Sequence, residues 1–239
     1  MQLGILGTGA MAAALAGAWV RAGHEVLVGG RDPHASADVA GAVGAAGGGL
    51  ADAAKFGDAV LIALPAAAAP DVVGALAADL SGRTLLDCTV PMAPGPTGPL
   101  ATTTGPADSV AVRLAAAAPE SQVAKVFGVC HESIWTLPRP TFEGTPLAVP
   151  FCSSHPETEA LVTDLVTSMH CRPIACGGLD RAGLLEAAAI FAIGVWWSGG
   201  EVRHAFPSPA LAPGASDDSP LDFPQDGDFV VDGSGSTGS

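Results

Sequence analysis

The fold of this chain is decided by LGILGTGAMAAALAGAWVRAGHEVLVGGR, residues 3–31. A short apolar run ends in the turn Gly7-Thr8-Gly9-Ala10-Met11-Ala12, a helix-like stretch follows over 10–22, and a second apolar run occupies 25–28. This spacing is the G-x-G-x-x-G/A fingerprint, and it stands in the strand, turn, helix and strand order that the fingerprint requires. The stretch therefore predicts a βαβ unit that binds a dinucleotide, in preference to an empty structural turn.

Each small residue of the turn has a physical role in this prediction. Gly7 allows the tight turn from strand to helix, Gly9 lets a diphosphate approach the backbone, and Ala12 lets the helix lie close to the strand. The free N–H groups and the positive dipole end of the helix then face the phosphates. The predicted diphosphate contacts are Gly7, Thr8, Gly9, Ala10 and Met11.

The end of the second strand predicts which dinucleotide is bound. NAD-binding proteins usually place Asp or Glu there, where the carboxylate binds the ribose 2′-hydroxyl. The matching position is Gly30, and Arg31 follows it, so a guanidinium is available for a 2′-phosphate. We therefore expect NADPH or NADP as the cofactor, held by Gly30 and Arg31. Asp32 is interpreted as the N-cap of the next helix; the alternative is that it binds the ribose of NAD.

The later part of the chain alternates strands and helices. This order predicts an α/β fold, a doubly wound Rossmann parallel sheet with a small C-terminal α/β extension and a final helix. We expect an NADP-binding domain over 1–120, a small substrate or dimerisation region over 121–206, and a disordered low-complexity tail over 207–239. The predicted helices are 33–44, 50–56, 71–80, 108–118, 156–169 and 179–198. The predicted strands are 58–64, 84–88, 122–129, 146–151 and 171–176. The glycines 47–49 are predicted to break the helix that begins at residue 33, and 92–105 to form a mobile loop over the site or a plain connector.

Ligands of such sheets bind at the carboxyl ends of the strands. The turn at Gly7 and the loops that begin at Leu64 and Thr89 are predicted to meet there. The residues expected to flank the nicotinamide and its ribose are Leu64, Pro65, Thr89 and Val90. Thr89 is alternatively a simple turn residue.

Composition excludes several classes of partner. The net charge is −14 with 10 Lys and Arg, so nucleic acid and anionic membranes would be repelled. The chain shows no signal peptide, and its most apolar late stretch, 184–198, contains Glu186 and is too short to span a bilayer. A cytoplasmic location is therefore expected. The five scattered cysteines suit a reducing compartment, and the spacing of Cys171 and Cys176 does not predict a metal site.

Several motifs together resemble the NADP-dependent oxidoreductases of the coenzyme F420 type. They are the turn at 7–12, GHEV at 23–26, VGGR at 28–31, DxTxP at 87–91, KVF at 125–127 and GGLxRxxLLE at 177–186. The similarity covers 1–198, and the first half is shared with pyrroline-5-carboxylate reductases. The resemblance implies hydride transfer between NADPH and the deazaflavin coenzyme F420 or another small acceptor. It also implies a homodimer through the 179–198 helix.

The sequence leaves the chemistry beyond cofactor binding open. Hydride transfer between planar rings depends mainly on positioning, whereas an imine, ketone or alkene acceptor needs a proton donor. His131 is the best candidate for that catalytic role, and its alternative is a strand-end histidine bonded to backbone. Lys125 either holds a carboxylate or is solvated at a strand edge. Arg181 either pairs with Glu186 or caps the turn at Gly177 and Gly178. Three classes stay open: a reductase with a small-molecule acceptor, a non-catalytic NADP-binding sensor or scaffold, and an NADPH domain that passes electrons to a partner protein.

Overall fold

The computed structural model describes residues 1–202, apart from the side chain of Pro106. The helices are α1 Ala10–Arg21, α2 Pro33–Val43, α3 Leu50–Phe56, α4 Ala69–Ala75, α5 Ala77–Leu80, α6 Val110–Ala117, α7 Pro156–Ser168 and α8 Ala182–Trp197. The strands are β1 Gln2–Leu6, β2 Glu25–Gly30, β3 Ala46–Gly49, β4 Ala59–Ile62, β5 Thr84–Asp87, β6 Met92–Gly95, β7 Gly98–Ala101, β8 Gln122–Lys125, β9 Thr141–Phe142, β10 Thr145–Pro146, β11 Ala148–Ser153 and β12 Arg172–Ala175.

Eight strands form one sheet in the order β12-β11-β8-β5-β4-β1-β2-β3. Two apolar cores cover its faces, one containing residues of α1, α2 and α7 and the other containing residues of α3, α4, α6 and α8. Helices on both faces of a mostly parallel sheet make a doubly wound α/β fold. The predicted fold class is confirmed.

The sheet contains one antiparallel pair that the sequence did not predict. Cys152 pairs with Lys125, and Ser153 with Ala124, so β11 runs opposite to β8. Parallel neighbours need a crossover, usually a helix, and between these two strands the chain forms only a 3₁₀ helix and a two-stranded hairpin. Without a helical crossover, the chain re-enters the sheet in the reverse direction.

Two local predictions were wrong, and one strand was not predicted. The 47–49 glycines lie between α2 and α3, as predicted, but they also form the edge strand β3, where a Cβ on Gly47 would lie 3.1 Å from the α2 backbone. Residues 92–101 are a hairpin whose second strand, β7, packs against α8, so this part is neither a mobile loop nor a plain connector. The helix predicted over 71–80 is two helices that meet at Leu76.

The predicted domain boundary at residue 120 stays a prediction, and β8, β11 and β12 continue the sheet of the first 120 residues. The tail predicted over 207–239 lies outside the described residues.

Within 1–202, no helix has the length and apolar character needed to cross a membrane. The same part of the chain holds no group of His, Cys, Asp and Glu arranged to bind a metal ion.

Candidate active site

The predicted loops meet at one edge of the sheet. Leu6 pairs with Ile62, Ile62 with Asp87, and Asp87 with Lys125, so β1, β4, β5 and β8 end side by side. From β1 the chain continues outward to β2 and β3, while β4, β5 and β8 extend the sheet the other way. The junction of β1 and β4 is therefore the topological switch point where such sheets bind ligands.

The turn between β1 and α1 has the predicted geometry. Gly7 has φ 132°, its N–H donates to the carbonyl of Gly29 at 2.8 Å, and a Cβ there would lie 2.2 Å from the carbonyl oxygen of Ala63. These constraints require glycine at this position. At Gly9 a Cβ would meet no atom within 4 Å, so the turn is open on the outside.

The N-terminus of α1 is free to receive an anion. Gly9 is its N-cap, no side chain caps the helix, and its first turn holds no acidic residue. The orphan N–H groups and the helix dipole therefore favour a phosphate here.

The end of β2 has no room for the acid of an NAD-binding site. A Cβ on Gly30 would lie 2.7 Å from both Ser36 Oγ and Thr8 Cγ2. Asp32 is the N-cap of α2, because its Oδ1 accepts from the N–H of His34 at 2.9 Å. The N-cap interpretation of Asp32 is confirmed.

Arg31 lies next to this crowded position and is exposed. Within residues 1–202 its guanidinium makes no hydrogen bond or ion pair. Its donors are therefore available to a ligand at the end of β2.

Leu64 and Pro65 follow β4 as expected. Leu64 packs against the second core, Pro65 is exposed, and the carbonyl of Pro65 accepts from Ala68 and Ala69 at the start of α4. Their position beside the switch point agrees with the sequence, and their contact with a cofactor stays a prediction.

A buried cluster of charged side chains contacts the backbone of the loop that follows β5. Lys125 Nζ lies 2.9 Å from Asp87 Oδ2 and 3.1 Å from Glu186 Oε1, and it also donates to the carbonyl of Thr89. Asp87 Oδ1 accepts from the N–H of Thr89 at 2.8 Å, and Glu186 Oε1 accepts from the N–H of Val110 at 2.9 Å. The cluster therefore joins the Thr89 backbone, the start of α6 and helix α8.

The charges of this cluster depend on one another. Burial alone lowers the pKa of Lys125, but Asp87 and Glu186 outweigh it, so its pKa lies above the ordinary value. Burial raises the pKa of Glu186, and attraction to Lys125 offsets only part of that effect. Lys125 is thus held as a cation inside the fold.

Sequence reasoning missed this cluster. Lys125 is 2% exposed, so the alternative of a solvated strand edge is wrong. The pairing of Glu186 with Arg181 is also wrong, because Glu186 binds Lys125. One feature of the sequence could have indicated the cluster: Glu186 is the single charged residue of 182–198, an otherwise apolar stretch.

His131 lies in a 3₁₀ turn rather than at the predicted end of a long strand. Its Nδ1 bonds to Ser133, its Nε2 lies 3.3 Å from Glu132 Oε2, and its side chain is 61% exposed. These contacts stay within its own turn, so a catalytic role for His131 stays a prediction.

The cysteines near this edge are unsuited to nucleophilic chemistry. Burial raises the pKa of Cys88 to about 12 and that of Cys130 to about 11. Both stay protonated near neutral pH, where a thiol is a poor nucleophile.

Residues 2–91 match the family described as NADP oxidoreductase, coenzyme F420-dependent. The F420-dependent NADP reductase of Methanocaldococcus jannaschii is 29% identical over 147 residues, which are 60% of this chain and 64% of that protein. The chain therefore spans less than two thirds of that curated relative.

Solved structures extend the similarity beyond residues 2–91. A candidate F420-dependent NADP reductase from Arthrobacter sp. FB24 superimposes with a TM-score of 0.75 at 25% identity, covering 84% of this chain and 96% of that one. A reductive aminase from Aspergillus terreus, solved with NADPH and ethyl-5-oxohexanoate, has a TM-score of 0.61 at 19% identity, covering 83% of this chain and 63% of that one. The second similarity shows a shared fold.

Proposed function

We propose that this chain is an NADPH-dependent oxidoreductase. It transfers hydride between NADP(H) and either the deazaflavin coenzyme F420 or a small organic acceptor such as an imine, ketone or activated alkene. The observation that carries the proposal is the N-terminus of α1 at the switch point. Among residues 1–202 no side chain caps it, and the guanidinium of Arg31 beside it has no partner. The match of residues 2–91 to the NADP oxidoreductase family supports the same cofactor.

In this proposal, different residues at the carboxyl ends of the strands bind different parts of the cofactor. The turn Gly7–Met11 holds the diphosphate, and Arg31 holds the 2′-phosphate. Leu64, Pro65, Thr89 and Val90 flank the nicotinamide and its ribose. NADPH supplies the hydride when bound, and the chain supplies position and a water-poor surface. His131 as proton donor to an imine, ketone or alkene stays a prediction.

Activity is tested by following NADPH absorbance with a panel of acceptors. The panel contains oxidised coenzyme F420, flavins, cyclic imines and enones. We expect steady oxidation with at least one member. Tight NADPH binding without turnover indicates the alternative of a sensor or scaffold, and turnover only when cell extract is added indicates an electron-transfer partner.

Gly7→Ala and Gly9→Ala are a matched pair of variants. Together they distinguish an effect on the stability of the fold from an effect on NADPH affinity. Gly7→Ala is expected to destabilise the protein by about 1–3 kcal/mol from its φ alone, and the clash with the Ala63 backbone adds to this. Gly9→Ala has room and an ordinary φ, so it should fold normally yet lose NADPH affinity. Thermal melting and calorimetry measure the two effects. Unchanged NADPH affinity in Gly9→Ala would contradict the proposed diphosphate position.

We further propose a homodimer through α8. The exposed apolar side chains of this region are Leu184, Phe191, Trp196 and Trp197 on α8, with Leu100 on β7, which packs against it. Monomeric proteins rarely expose a large apolar patch. Trp197, at 72% exposure, is the most exposed of them.

Trp197→Glu is expected to weaken this dimer by about 2 kcal/mol or more, as for a central aromatic residue of an interface. Sedimentation equilibrium measures the association. Leu137→Glu is the control, because Leu137 is an exposed leucine outside α8. A monomeric wild-type chain at micromolar concentration, or equal association of both variants, would contradict the dimer.

A further inference from the structure

A narrow cavity lies between the carboxyl ends of β5 and β8 and helix α8. Its polar lining comes from Thr89, Lys125 and Glu186, and its apolar lining includes Val90, Val129 and Leu185. It is too narrow for a water molecule. Val90, the residue expected to flank the nicotinamide, is part of its wall.

Two buried polar atoms at this cavity have no hydrogen-bond partner among the described residues. They are Thr89 Oγ1 and Glu186 Oε2, on residues that are 4% and 1% exposed. The surrounding groups are all engaged: both Asp87 oxygens, Lys125 Nζ, Glu186 Oε1 and both backbone groups of Thr89. An unpaired buried polar atom is costly, and such atoms in a native structure require an explanation.

The two atoms differ in what they offer to a ligand. The Thr89 hydroxyl can donate, and a Glu186 carboxylate oxygen accepts. A group that complements both has an acceptor and an N–H donor side by side, as a primary carboxamide does. The nicotinamide ring carries one such group.

We propose that Thr89 Oγ1 and Glu186 Oε2 form the recognition pair for the nicotinamide carboxamide. The hydroxyl donates to the amide carbonyl, and the carboxylate accepts from the amide NH₂. Because the cavity is too narrow for a water molecule, this binding requires its apolar wall of Val90, Val129 and Leu185 to open. Lys125 and Asp87 act as positioning residues, because they hold the Thr89 backbone and the other Glu186 oxygen. This inference rests on the proposed function.

Calorimetry with three ligands tests the pair without any measurement of activity. The ligands are NADP, its 3-acetylpyridine analogue, in which a methyl group replaces the amide NH₂, and 2′,5′-ADP, which lacks the nicotinamide half. The wild-type chain should bind NADP about tenfold more tightly than the analogue, which is the scale of one hydrogen bond to a charged group.

The variants are Glu186→Gln, Thr89→Val and Thr89→Ser. Glu186→Gln keeps an oxygen for Lys125 and should bind NADP and the analogue within about twofold of each other, since its amide no longer accepts from NH₂. Thr89→Val should weaken both ligands alike, and Thr89→Ser, which keeps the hydroxyl, should restore them. All four chains should bind 2′,5′-ADP equally, which also shows that they are folded.

The outcomes separate this inference from the proposed function. If 2′,5′-ADP binds but the wild-type chain does not distinguish NADP from its analogue, the carboxamide assignment is overturned and NADP binding stands. The assignment is also overturned if Thr89→Val binds NADP as well as Thr89→Ser. If 2′,5′-ADP does not bind the wild-type chain, the proposed NADP site itself is wrong.

Discussion

Lys125→Met should lower the free energy of unfolding by about 3–5 kcal/mol, the usual cost of removing one partner from a buried ion pair. The methionine fills a similar volume, but it leaves the carboxylates of Asp87 and Glu186 close together and without their cation. It also removes a donor from the Thr89 carbonyl. Denaturant unfolding of both proteins measures the difference.

Lys55→Met is the control for this prediction. Lys55 also pairs with a carboxylate, Asp79 at 3.3 Å, but its side chain is 62% exposed. Solvent-exposed pairs contribute about 0–1 kcal/mol, so this variant should unfold nearly as the wild type does. Equal, small effects of the two substitutions would show that the buried cluster is not important for stability.

Arg31→Ala should weaken NADPH binding by about 1.5–3 kcal/mol, the value of a hydrogen bond to a charged group. This is about a 10- to 100-fold loss of affinity. NADH lacks the 2′-phosphate, so its affinity should change little. Calorimetric titration of both nucleotides measures the selectivity.

Arg172→Ala is the matched control, because Arg172 is an exposed arginine on β12, at the opposite edge of the sheet from β3. It should bind both nucleotides as the wild type does. Equal weakening of NADPH and NADH by Arg31→Ala would mean that Arg31 does not recognise the 2′-phosphate.

The features that could be predicted from the sequence depend on contacts between near neighbours in the chain. The Gly7–Ala12 turn and the N-cap at Asp32 involve groups within a few residues of each other, so their residue types predict their geometry. The apolar run within 58–64 predicted the buried parallel strand β4 for a similar reason, since burial on both faces leaves no polar alternation.

The features that the sequence did not predict have a different cause. The glycines 47–49 form an edge strand, and a Cβ on Gly47 would crowd the backbone of α2. The Pro- and Gly-rich residues after β5 predicted a loop, yet they pair as a hairpin that packs on α8. At the hairpin, packing against a helix distant in the chain outweighs residue propensity.

The sequence by itself determined the turn of the βαβ unit, the absence of an acid at Gly30, the arginine beside it and the alternation of strands and helices. Each of these features depends on residues that are close together in the chain. Only the tertiary structure decided that Asp87, Lys125 and Glu186 form one buried cluster, and that Thr89 Oγ1 and Glu186 Oε2 have no hydrogen-bond partner among the described residues. These residues come from two strands and the last helix, and only the packed fold brings their charges together away from water, where an ion pair is strong and an unpaired polar atom is costly.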